Sequence, residues 1–157
     1  MTDEIITELV ERIHQELDDI PIVLARMNKA WERSRRTNDD LYLDAVALNL
    51  HGFYSGAERI FTHIAEIIDD NPPRGESWHL LLLQQMMREI PGIRPSVIST
   101  ETGTKLDEYR RFRHVVRNVY THNLDPVKVG KLVSSSQDLY NELNTEITAF
   151  VAFLERE

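Results

Sequence analysis

The chain has 157 residues, of which 41% are hydrophobic and 28% are charged, and its formal net charge is −8. That length predicts one domain over residues 1–157, and the composition is typical of a soluble globular protein. Cysteine is absent, which excludes disulfides and zinc–thiolate sites. The acidic balance argues against nonspecific nucleic-acid binding over the whole surface, because phosphate contacts supply most of that affinity.

Neither the start of the chain nor its apolar runs predict membrane association. The segment Met1-Thr2-Asp3-Glu4 lacks the basic and apolar regions of a signal peptide. No apolar run approaches the ~18 residues that span a bilayer. We therefore expect a cytoplasmic protein that has no membrane partner.

Apolar residues at helical spacing predict the first two helices. The first begins near Ile6, and Pro21 within it should kink the helix or start a new one. The polar run over residues 33–40 should end this pattern, and residues 38–40 offer an N-cap to the next helix. The second helix carries the clearest apolar stripe, which runs from Val46 to about Asp69.

Three further helices are predicted after a loop at residues 71–75. A short helix should cover residues 77–89, and a longer one should run from about residue 101 to 122. Pro126 disfavours helical geometry in the residue before it, so that helix should end first. The last helix is predicted over about 127–154. We predict an all-α fold, an up-and-down bundle of four long helices plus one short helix.

The segment from Tyr109 to His122 concentrates four arginines and two histidines in an otherwise acidic protein. Within it, four residues separate Arg117 from His122. A guanidinium can clamp a phosphate through two hydrogen bonds, and an imidazole can transfer protons near neutral pH. These two groups suffice to cleave RNA without a metal, because the ribose 2′-hydroxyl supplies the nucleophile. The simpler alternative is a solvated helix that ends in a capping histidine.

Helical geometry constrains how Arg117 and His122 work together. On a regular helix they point about 140° apart, since each residue adds roughly 100°. Convergence on one phosphate therefore needs a loosened helix end, a π-type bulge, or a second copy of the motif facing the first. A two-fold dimer would provide that second copy.

The stretch Arg117-Asn118-Val119-Tyr120-Thr121-His122 resembles the R-x4-6-H signature of HEPN-domain proteins. Residues 50–61 are also similar to the second helix of HepT-like members of that family. The resemblance implies a HEPN-like bundle that forms a homodimer, with two motifs lining a shared cleft. It further implies a metal-independent endoribonuclease that needs no cofactor. HepT-like members are usually toxins of type VII-like toxin–antitoxin systems, paired with a minimal nucleotidyltransferase antitoxin.

The resemblance implies a role for each residue of the motif. Arg117 would hold the scissile phosphate of an RNA substrate, and His122 would act in general acid–base catalysis. Asn118 would orient the phosphate or the histidine. Six further residues are expected to bind RNA or support the site: Arg110, Arg113, His114, Tyr120, Tyr54 and Glu58.

Several of these supporting residues have structural alternatives. The arginines before Arg117 are equally suited to ion pairs with acidic residues of the same helix or of a neighbouring helix. Tyr54 and Glu58 either orient the arginine or form a buried polar pair, and His114 is a second proton donor or a surface cation. The remaining histidines show no metal-ligand spacing and are assigned to the core edge or the surface, namely His14, His51, His63 and His79.

One departure from the family pattern bears on how the protein is neutralised. HepT toxins commonly carry R-x4-H-x-Y, in which the antitoxin AMPylates the tyrosine. Leu124 occupies that position here, and Tyr120 lies inside the motif instead. Neutralisation by AMPylation and neutralisation by binding therefore both stay open. The alternative function is that of a non-catalytic HEPN subunit that binds a minimal nucleotidyltransferase.

Overall fold

The computed structural model describes residues 2–118 and 123–156, which form an all-α bundle. Four of its helices are long and one is short, which confirms the predicted fold class. Within the described residues, no helix is both long and apolar enough to cross a membrane. The helices are α1 (Asp3–Thr37), α2 (Leu41–Ile67), α3 (Trp78–Met86), α4 (Thr100–Asn118) and α5 (Pro126–Arg156).

The first two helices form a tight hairpin that shares the largest interface of the bundle. Asn38 ends α1 in the left-handed conformation, with φ of 55°. Asp39 then supports the start of α2, whose N-cap is Asp40, because the Asp39 Oδ1 accepts a hydrogen bond from the N–H of Leu41 at 3.0 Å. Gly56 lets the helices approach closely, since a Cβ there would lie 3.1 Å from the side chain of Ile20.

Pro21 was predicted either to kink the first helix or to start a new one, and the second alternative is wrong, because α1 continues through it. Proline has no N–H to donate to the carbonyl of Leu17, which is the usual acceptor one turn earlier. The Tyr140 hydroxyl of α5 donates to that carbonyl instead, at 2.6 Å. A tertiary hydrogen bond thus replaces the missing helical one.

The segment after α2 is held by a buried ion pair between Asp69 and Arg94, whose side chains are both 0% exposed. Arg94 Nε and Nη2 donate to the two carboxylate oxygens at 2.6 and 2.8 Å. Its other N–H groups donate to the carbonyls of Arg88, Pro95 and Gln85. The loop before α4 is therefore fastened to the end of α2.

The end of the short helix differs from the predicted one for a reason of tertiary structure, whereas the start of the fourth helix agrees with its prediction. The short helix ends at Met86 rather than residue 89, because the Met86 carbonyl accepts from the N–H groups of Val97 and Ile98. The fourth helix begins where Ser99 Oγ accepts from the N–H of Thr102 at 3.1 Å. Helix α5 closes the bundle with a buried apolar stripe that extends to Leu154.

The Tyr140–Leu17 hydrogen bond gives the first prediction. Tyr140→Phe should lower the free energy of unfolding by about 1–3 kcal/mol, because it leaves a buried carbonyl without a donor. Urea unfolding measures the change. In a Pro21→Ala background the helix regains its own N–H donor, so the same substitution should cost less. An equal cost in the two backgrounds would show that the hydroxyl does not compensate for the proline.

Candidate functional site

A buried polar cluster lies where α4 crosses the middle of α2, and it consists of Arg113, Glu58, His79, Tyr54 and Ser55. Arg113 donates to Glu58 through two parallel bonds, Nη1 to Oε1 at 2.9 Å and Nη2 to Oε2 at 3.1 Å. Their side chains are only 7% and 9% exposed. This bidentate geometry is the favourable one for a desolvated guanidinium and carboxylate.

The sequence of α4 explains why an arginine enters the interior. Its buried residues recur at helical spacing along one stripe, through Leu106, Tyr109 and Arg113. Of the alternatives predicted for Arg113, the ion pair with a neighbouring helix is the one observed, because Arg113 extends the inward stripe toward Glu58.

Helix α3 contributes His79 to the same cluster. Its Nδ1 lies 2.7 Å from Glu58 Oε2 and 2.7 Å from Arg113 Nη2. A protonated Nδ1 donates to the carboxylate, whereas an unprotonated one accepts from the guanidinium. The Trp78 ring packs on the imidazole with centroids 3.6 Å apart. Three helices thus meet at one ion pair.

Tyr54 and Ser55 of α2 complete the cluster. The Arg113 guanidinium lies over the Tyr54 ring, 5.0 Å from its centroid. Burial, reinforced by Glu58, raises the pKa of the Tyr54 hydroxyl, which therefore stays protonated at neutral pH. Ser55 Oγ lies 3.4 Å from Arg113 Nη1 and 3.4 Å from Nδ1 of His51. The Ser55 hydroxyl therefore lies between the buried Arg113 and the half-buried His51.

Arg117 lies one helical turn beyond Arg113 and is exposed. With His51 it lines a surface pocket of about 370 Å³ between α2 and α4. Among the residues that the structure describes, no carboxylate lies within ion-pair distance of Arg117. The other described residues of the pocket lining are Asp44, Ala47, Leu48 and Val116.

The other predicted residues of α4 have local partners. Asp107 binds both Arg110, at 2.6 Å, and Arg111, at 3.4 Å. The Asn118 amide donates to the His114 carbonyl at 2.7 Å, and both residues are exposed. The two arginines before Arg113 thus share a carboxylate of their own helix.

Two of the predicted site residues, His122 and Tyr120, lie outside the described residues. Tyr54 and Glu58 surround Arg113 rather than Arg117. The sequence interpretation placed His51 and His79 at the core edge or the surface and gave them no part in the site. The spacing of His51 and Glu58, seven residues apart on α2, was a usable signal that they share a face. No sequence spacing links His79 to these residues, because His79 belongs to a separate helix, α3.

The buried cluster gives the second prediction. Glu58→Gln should lower the free energy of unfolding by about 3–5 kcal/mol, because it leaves the Arg113 charge buried without a counter-ion. The matched control is Glu16→Gln, which breaks a bidentate pair with the 57%-exposed Arg59 and should cost less than about 1 kcal/mol. Guanidinium unfolding measures both variants. Equal losses would mean that the buried pair is not a special determinant of stability.

Comparison with protein families places most of this chain in one of them. A family model described as HepT-like protein matches residues 45–154. The match runs from near the start of α2 into the end of α5, and it includes the buried polar cluster and Arg117. No curated protein and no solved structure matches the chain.

Proposed function

This chain belongs to the HepT-like protein family, and we propose that it is the ribonuclease toxin of a type VII-like toxin–antitoxin pair. The observation that carries the proposal is the environment of Arg117. Three arginines of α4 have carboxylate partners, whereas Arg117 lies in an open pocket without one among the described residues. A guanidinium in that position is available for a phosphate.

The proposed reaction is transphosphorylation of RNA in the cytoplasm. The ribose 2′-oxygen attacks the adjacent phosphorus, the bond to the 5′-oxygen breaks, and a 2′,3′-cyclic phosphate and a 5′-hydroxyl result. Arg117 binds the non-bridging oxygens and stabilises the charge that develops on them. His122 transfers a proton. The Asn118 amide already donates to His114, which leaves its side-chain oxygen to orient the catalytic histidine.

The buried cluster supports this assignment by holding the reactive end of α4 in place. Arg113 lies one turn before Arg117, and its ion pair with Glu58 ties that turn to α2. A fixed helix keeps the phosphate-binding guanidinium oriented, which is a large part of catalysis by positioning. We therefore assign a structural supporting role to Arg113, Glu58 and Tyr54.

An exposed apolar surface beside the pocket supports the proposed homodimer. Leu41 and Leu48 of α2 are 71% and 70% exposed, and Val115 of α4 is 42% exposed. Leu48 also lines the pocket that contains Arg117. A second copy that covers this surface would bring two motifs into one cleft and supply the convergence that a single regular helix lacks.

The minimal nucleotidyltransferase is the proposed antitoxin, and Leu124 bears on how it acts. This residue occupies the position that carries the modified tyrosine in many HepT toxins, and it is only 8% exposed. Its apolar side chain has no hydroxyl to accept a nucleotide. We therefore propose that the antitoxin neutralises this protein either by binding to it or by modifying a hydroxyl at another position.

The chemistry gives the third prediction. Arg117→Ala and His122→Ala should each lower RNA cleavage by about 10²-fold or more, because each removes a group needed in the transition state. Sequencing of RNA ends and a cleavage gel in excess EDTA measure the loss, and circular dichroism checks the fold. Arg111→Ala removes an exposed charge from the same helix and should cleave normally. Undiminished cleavage by both motif variants would contradict the assignment, and wild-type protein that cleaves no RNA would favour the non-catalytic subunit.

The dimer gives the fourth prediction. Light scattering at micromolar concentration should give about twice the chain mass of 18.3 kDa. Leu48→Glu should shift the mass toward one chain, because it places a charge in the proposed interface. Ile22→Glu changes a 61%-exposed residue of α1 and should leave the dimer intact. A wild-type monomer, or a dimer unaffected by Leu48→Glu, would contradict this interface.

A further inference from the structure

His51 is an imidazole that the R-x4-H motif does not use, yet it lines the same pocket as Arg117. We propose that His51 is a second catalytic residue of the ribonuclease, the base that takes the proton from the ribose 2′-hydroxyl. This inference rests on the proposed function and divides the proton transfers between two histidines. His122 is then left to protonate the departing 5′-oxygen.

Helices α2 and α4 each contribute one of the two side chains to the same pocket. Arg117 enters the pocket from α4, and His51 enters it from α2. The 2′-oxygen of RNA is adjacent to the phosphorus that it attacks. A phosphate bound by Arg117 therefore brings the neighbouring 2′-hydroxyl to the wall that carries His51. A base must be within hydrogen-bond reach of the proton that it removes, and a position in the lining of the same pocket suits His51 to that requirement.

Ser55 orients the imidazole for this role. Nδ1 of His51 lies 3.4 Å from Ser55 Oγ, and the same oxygen lies 3.4 Å from Arg113 Nη1. A hydroxyl oxygen has two acceptor positions, so it can accept from both groups. In the tautomer with the proton on Nδ1, Nε2 keeps its lone pair on the opposite edge of the ring. That lone pair is the one a base requires.

The charges around His51 keep it unprotonated. Burial lowers its pKa first, and the cations Arg113 and Arg117 on α4 lower it further. The buried Glu58 on α2 opposes this shift more weakly, and the carboxylate that lines the pocket itself is Asp44. A pKa below the ordinary 6.5 makes the neutral base the main form at neutral pH. The rate of RNA cleavage should therefore be constant at pH values above the pKa of His51 and should fall as the pH drops through that pKa.

The complete step balances in atoms and charge. The proton moves from the 2′-oxygen to Nε2 of His51 as the 2′-oxygen forms its bond to phosphorus. The bond from phosphorus to the 5′-oxygen then breaks, and His122 gives a proton to that oxygen. Solvent afterwards removes the proton from His51 and returns one to His122, so the enzyme is restored without an added reactant.

The first test is removal of the imidazole. His51→Ala and His51→Gln should lower RNA cleavage by about 10²–10⁴-fold, the usual contribution of a general base. The glutamine can still bond to Ser55, so it separates loss of the base from loss of packing. His14→Ala removes an exposed histidine from α1 and should leave cleavage unchanged. The acidic limb of the rate profile in wild type should disappear in the His51 variants.

The second test separates the two proton transfers with an activated substrate, uridine 3′-(4-nitrophenyl phosphate). Its nitrophenolate departs without protonation, so His122→Ala should cleave it nearly as fast as wild type. His51→Gln should stay impaired, because the 2′-hydroxyl still has to lose its proton. This pattern supports the assignment.

Other outcomes overturn it. His51 variants that cleave RNA and the aryl ester at the wild-type rate would mean that a second copy of His122 takes the 2′-proton. An aryl ester that His122→Ala cleaves no faster than His51→Gln would also overturn the division of roles. Failure of the wild type itself to cleave either substrate would instead refute the ribonuclease proposal, so the two failures are distinguishable.

Discussion

The buried ion pair between Arg113 and Glu58 is the interaction on which the functional end of the bundle depends. Moving both charges out of water costs several kcal/mol per ion, and Coulomb attraction alone seldom offsets that cost. Here two parallel hydrogen bonds, the imidazole of His79 and the face of the Tyr54 ring all contact the pair. The cost is compensated only when α2, α3 and α4 adopt this one arrangement. The pair therefore specifies how the three helices meet.

The same pair explains how an acidic protein can leave one cation open for the RNA binding proposed above. With a net charge of −8, the surface as a whole repels phosphate, so binding depends on a local site. Asp107 is shared between Arg110 and Arg111, and Glu58 pairs with Arg113. Arg117 is the arginine of α4 that faces solvent without such a partner among the described residues. A single oriented guanidinium favours one phosphate rather than a long nucleic-acid track.

Much of the fold was predictable because helical periodicity is a local property, whereas the errors arise from contacts between distant residues. The apolar stripe of α2 was enough to predict that helix. Continuation of α1 through Pro21 depends on Tyr140, which is far away in the sequence. In the same way, the sequence left open whether Arg113 contacts RNA or pairs with an acidic residue, and only the distant Glu58 explains its burial. The role proposed for His122 rests on family membership and the motif rather than on described geometry.

Arg113 bears on both the stability of the fold and the proposed chemistry, because its guanidinium contacts the buried Glu58 and also Ser55 beside the pocket. On one side it neutralises Glu58 in the interior, and on the other its Nη1 reaches Ser55, which contacts His51 in the pocket. The cation that fastens α4 to α2 is also one of the charges that lower the pKa of His51. Replacing Arg113 would therefore loosen the helix that carries Arg117 and would also let His51 take up a proton more readily. The buried arginine at this position therefore has two physical effects, one on the stability of the bundle and one on the protonation of His51.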